Sequence, residues 1–183
     1  MLELQIEKTE LFNEETCELC VVKPKTIALE HSLVSLSKWE SKWHVPFLST
    51  NEKSPEMVMD YVRLMTLTQH VDPNLYLCLN DSHYKKINEY IENPMTATWF
   101  NEQHSKPNRE IITSEIIYYW MISLNIPVEF QKWHLNRLLT LIRVCNIKNQ
   151  PAKKMSKKDW ARKQSSVNAA RNAAAKKHSK PHY

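Results

Sequence analysis

The chain has 183 residues, 42% of them hydrophobic, and a formal charge of +5, which suits one globular core with an appendage. It contains no glycine, and that excludes P-loops, GxGxxG turns and GxSxG nucleophile elbows, each of which needs glycine for close backbone approach or positive φ. No run approaches the ~18 uncharged apolar residues of a membrane span, the start MLELQIEK lacks the basic and apolar parts of a secretory signal, and Cys17, Cys20, Cys78 and Cys145 make no disulfide framework, so a cytoplasmic protein is expected.

Charge divides the chain. Residues 1–150 carry a net −4 and residues 151–183 a net +9. The expected organisation is a globular α+β domain over 1–150, with β structure in 1–30 and helices in 32–149, followed by a basic, helical or disordered tail over 151–183. The fold class is α+β, mostly helical, with a small N-terminal antiparallel sheet.

Leu2, Leu4 and Ile6 alternate on one face, the mark of a half-buried strand. Leu11-Phe12 and Cys17–Val22 flank Asn13-Glu14-Glu15-Thr16 as a hairpin, and Thr26–Leu29 supplies a third strand. Leu33, Leu36, Trp39 and Trp43 follow helical spacing until Pro46; Ser37 with Glu40 offers an alternative, later capping box. Ser54-Pro55 and Asp72-Pro73 each pair an N-cap with a proline suited to the first helical turn. Asp81 opens a further helix, which Asn93-Pro94 ends. Met95–Phe100 reads as a short strand or an irregular connector.

The densest apolar stretch spans 110–147, broken at Asn125-Ile126-Pro127. Two helices, roughly 110–124 and 128–147, are expected to pack as an antiparallel hairpin holding most of the core, with Trp120 and Leu138 almost wholly buried. A helix apolar nearly all round is expected to be buried nearly all round. After Gln150-Pro151 the sequence turns to Ala, Lys and Arg, a helix former with no apolar stripe apart from Trp160 and Val167.

No motif carries chemistry outright. Cys17-x-x-Cys20 is half a zinc site without a second pair, so neither metal nor cofactor is expected. His134 with Arg137 has the residue types of a base and an anion clamp, yet no nucleophile or carboxylate stands at a spacing that selects a partner; the expectation is a non-enzyme. Tryptophans beside lysines (Trp39, Trp43, with His44 following) and the tail cations Lys153, Lys154, Lys157, Lys158, Arg162, Lys163, Arg171, Lys176 and Lys177 are the candidate partner-binding residues. Helical spacing also fits the tryptophans to the core. The tail cations suit an acidic protein surface, nucleic-acid phosphates, or plain solvent.

Four stretches, LEHSLVSLSKWESKWHVPFL (29–48), VDPNLY (71–76), NPMTATWF (93–100) and REIITSEIIYYWMISLNIPVEFQKWHLNRLLTLIRVCNIKNQPAKKMSK (109–157), together with the ending NAARNAAAKK, resemble a family of small tailed-bacteriophage proteins involved in tail assembly. The resemblance implies a tail assembly chaperone, working in the cytoplasm of the infected bacterium and absent from the mature virion. It would keep the long helical tape measure protein soluble until tube subunits polymerise around it. The partners implied are the tape measure protein or other tail proteins, with homo-oligomers an option and no membrane. Alternatives are a structural virion protein of the tail, neck or baseplate, and a nucleic-acid-binding protein using the tail. Members usually end in small residues including glycine, whereas this chain ends His-Ser-Lys-Pro-His-Tyr.

Overall fold

The computed structural model describes residues 1–13, 18–49, 52–100, 111–149 and 157–178. It is α+β and divides into two units, Met1–Ile147 and Lys148–Tyr183. Four strands come first: β1 Leu2–Ile6, β2 Thr9–Asn13, β3 Glu18–Val22 and β4 Lys25–Leu29. β1 pairs with β4 and β2 with β3, both antiparallel, and the two ladders share one uninterrupted register from Leu2–Leu29 down to Asn13–Glu18. They form one long ribbon, interrupted where Glu7-Lys8 stands across from Lys23-Pro24. Proline has no N–H to give a ladder. The buried face changes parity at this break. Leu4, Ile6, Ile27 and Leu29 are buried on one side of it; Val22 is buried and Leu11 and Cys20 half-buried on the other.

The outer edge of β4 is covered by the chain that follows the second helix. Thr66 bridges Leu29, the Leu67 N–H donates to the Ala28 carbonyl at 2.8 Å, and the Ala28 N–H donates to the Thr68 hydroxyl at 2.9 Å.

The helices are α1 Leu33–Trp43, α2 Pro55–Met65, α3 Asp81–Glu92, α4 Ser114–Ser123, α5 Leu135–Asn149 and α6 Lys157–His178, with 3-10 helices at Pro73–Cys78 and Val128–Lys132. The start signals at Ser54-Pro55 and Asp72-Pro73 act as read, each cap side chain accepting a backbone N–H two or three residues on. The capping box of α1 is Ser32 with Ser35, not Ser37 with Glu40. Met95–Phe100 is a connector without strand pairing. Among the described residues, His44, His70, Met95 and Asn125 have positive φ and take left-handed positions that glycine usually fills.

Two apolar clusters make the core. The larger joins the ribbon (Leu4, Ile6, Val22, Ile27, Leu29) to Trp39, Tyr61, Val62, Met65, Leu75, Ile87 and Tyr90. The smaller gathers Leu33 and Leu36 of α1, Ile117 and Met121 of α4, and Leu135, Leu138 and Ile142 of α5. The expectation that 110–147 holds most of the core is therefore corrected. So is the helical hairpin: residues 128–132 are a separate 3-10 helix, and α4 and α5 share their cluster with α1. Leu138 is wholly buried, as expected, but Trp120 only packs against the cluster's rim. Nor is α4 buried all round: Tyr119 and Ile122 are exposed, as is Ile111 just before it. A ten-residue helix at the surface turns one face inward; Tyr118 and Trp120 reach the edge of the cluster, and Tyr119 and Ile122 stay in solvent.

Candidate partner-binding surfaces

Trp39 is wholly buried, and its indole N–H donates to the Met57 carbonyl at 2.9 Å. It belongs to the core and is withdrawn as a partner-binding residue; the helical spacing, not the neighbouring lysine, decided its place. Trp43 is half-buried. Its indole donates to Asp60 Oδ2 at 3.0 Å while Lys42 donates to Oδ1 at 2.7 Å, so the Lys-Trp pair serves an internal carboxylate. Asp60 itself is buried, and a buried carboxylate needs such partners. His44 is exposed and caps α1 with φ 55.

Among the tail cations, Lys157, Lys158, Arg162, Lys163 and Arg171 are exposed on α6. Lys176 and Lys177 fall within its range, and Lys153 and Lys154 lie outside the described residues. Trp160 and Val167 of α6 are exposed too. Cys17 lies outside the described residues, and among the rest no group of His, Cys, Asp and Glu is arranged to hold a metal.

His134 and Arg137 do not assemble as base and clamp. The Arg137 guanidinium lies 4.0 Å over the Trp133 ring. His134 Nε2 is 3.0 Å from the Tyr90 carbonyl, which can only accept, so Nε2 carries the proton. The ring's Nδ1 is buried without a partner. His31 stands edge-on to it at 5.1 Å, with its own Nδ1 2.6 Å from the Tyr61 hydroxyl. Burial, then neighbouring His134, lowers the His31 pKa to about 3; burial likewise lowers that of His134. Beside them the Tyr90 hydroxyl donates to Glu30 at 2.7 Å, and burial, then Glu30, pushes the phenol pKa up. This buried polar seam joins β4, α2, α3 and the start of α5. Its members are far apart in sequence and carry no local signal.

The exposed apolar side chains form the more informative feature. On the ribbon's outer face, Phe12 and Leu19 are direct cross-strand partners, 61% and 68% exposed, with Val21 beside them at 48%. On the helical side stand Tyr119 and Ile122, and Trp99 of the connector is almost fully exposed. Alternation would have flagged Phe12, Leu19 and Val21 as one face had the parity change at the break been foreseen.

No protein family, curated protein or solved structure matches the chain. No helix among the described residues is long and apolar enough to cross a membrane.

Proposed function

We propose that this protein is a tail assembly chaperone of a tailed bacteriophage, which binds the tape measure protein and keeps it soluble before the tube forms. It acts by binding, not by chemistry. The observation that carries the reading is the pairing of a folded body bearing exposed apolar side chains on α4 and on the ribbon with a separate, exposed basic helix lacking an apolar stripe. Apolar patches left on an otherwise well-packed surface suit a protein partner, and exposed cations suit capture and steering of an acidic one.

The exposed cations of α6 also favour a second reading, phosphate binding to nucleic acid. It is separable by its salt dependence, since each phosphate contact steepens the fall of affinity with salt. Co-expression with tape measure protein tests the first. Soluble complex with the intact chain and aggregation without it support the chaperone. Recovery of the chain in stoichiometric amounts from purified virions overturns it in favour of a structural protein.

A further inference from the structure

We propose that α6 is a recognition helix for duplex DNA, lying in a major groove with Gln164, Asn168 and Arg171 toward the base edges. The inference rests on the second reading above, phosphate binding, and is independent of the chaperone one. It begins with what α6 lacks. A helix that seats in a protein groove does so by an apolar stripe at i, i+3, i+4 and i+7. The large apolar side chains described on α6 are Trp160 and Val167, seven residues apart. Its sequence, KKDWARKQSSVNAARNAAAKKH, instead holds seven Lys or Arg against one acid. Lys158 and Arg162 are four residues apart, and like charges at that spacing destabilise a helix. A polyanion relieves the repulsion and gains from every cation it meets. The charge of α6 therefore fits phosphates in series.

Which nucleic acid follows from the arrangement around the helix. Gln164, Asn168 and Arg171 stand at i, i+4 and i+7 of α6, and all three are exposed. At 3.6 residues per turn they fall within about 60° of one another. These are side chains that read base edges: Asn and Gln pair bidentately with adenine, Arg with guanine. Lys158 and Lys163, both exposed, lie on either side of that face, each about 110° from its middle. They are placed for the phosphates of the two groove walls. The major groove of B-form DNA is ~12 Å wide and admits one helix. Ala161, Ala169 and Ala170 keep α6 slim enough to enter it. The major groove of A-form RNA is too narrow for side chains to read. A single strand is held by stacking on successive aromatic rings, and Trp160 is the one aromatic residue in α6. Duplex DNA is the ligand that uses both the cations and the amides.

Selection of the full chain against random-sequence duplex DNA at low salt tests it, followed by fluorescence anisotropy on the enriched duplex and a scrambled one. The expected result is an enriched short sequence bound more tightly than the scrambled duplex. Gln164→Ala, Asn168→Ala and Arg171→Lys should each reduce that preference about tenfold, the scale of one lost bidentate base contact. The dependence of affinity on salt should stay the same in all three. Lys158→Ala and Lys163→Ala should weaken both duplexes alike and make the salt dependence shallower. Alanine favours helix more than the residues it replaces here, so a loss in these variants is not a loss of the helix. Salt-dependent binding without sequence preference overturns the recognition helix and leaves the phosphate reading standing; no binding to duplex DNA overturns both. A preference indifferent to Gln164→Ala, Asn168→Ala and Arg171→Lys, or a single strand that competes better than the duplex, also overturns the proposal.

Discussion

His31 and Glu40 show what single residues contribute here, and neither role is written in its own neighbourhood. His31 is neutral in the fold, with its pKa lowered to about 3, whereas an unfolded histidine titrates near 6.5. Below about pH 6.5 the unfolded chain therefore binds a proton that the folded chain does not, and stability falls as pH drops toward 3. The loss from His31 approaches ~1.4 kcal/mol per pH unit over that window, and His134, shifted in the same direction, adds to it. Urea midpoints at pH 7 and pH 5 should differ, and His31→Gln should flatten the difference; an unchanged slope in that variant would show that other groups govern it. The sequence offers both histidines but not their pairing, because nothing local links residue 31 to residue 134. Glu40 is similar. It is buried, and reads from sequence as one half of a capping box. In the fold its two oxygens accept the Phe47 N–H at 2.8 Å and the Ser114 N–H at 2.7 Å.

At the scale of elements, that second bond means α1 caps α4. Thr113, the N-cap of α4, makes no side-chain capping bond to the helix backbone. The carboxylate arriving from Glu40 meets an orphan donor and the positive end of the helix dipole together. Glu40→Ala leaves two N–H groups without their acceptor, each costing roughly 1–3 kcal/mol. A denaturant midpoint lowered by that scale, with Glu40→Gln retaining part of the stability, is the expected outcome. Elements whose signals are local were legible in advance: Ser54-Pro55 opens α2, Asp72-Pro73 opens the first 3-10 helix, and alternation marks β1. What stayed hidden is which apolar residues find partners. Ile117, Met121 and Ile122 look alike in sequence, yet only the first two face Leu33 and Leu36. The partner-binding candidates divided the same way. Trp39 went to the core because the spacing that suggested a helix also set its face, while the tail cations stayed exposed because nothing around them is apolar.

For the whole molecule, the division at Ile147–Lys148 separates an apolar-cored body from a charged helix. The side chains described on α6 are exposed, Trp160 among them. Removal of residues 152–183 should leave the melting temperature almost unchanged. It should also weaken capture of an acidic partner, and high salt should imitate the deletion, since exposed charges are screened beyond a Debye length of about 8 Å at physiological ionic strength. A truncated chain that melts much lower would assign α6 to the core instead. In the sequence, the change of composition falls at Gln150-Pro151.

The break in the ribbon also constrains how such a chain can change length. Lys8 and Lys23 stand at corresponding positions in one register, and the buried face changes parity across them. Losing either residue alone slips one strand by a step and turns its inward side chains to solvent. Losing both keeps every remaining pair in step, and Leu4, Ile6 and Leu11 then fall on one continuous alternation, as do Val22, Ile27 and Leu29. A double deletion of Lys8 and Lys23 should therefore yield a folded protein where each single deletion yields an insoluble one, so that the two strands can be shortened or extended only in matched steps.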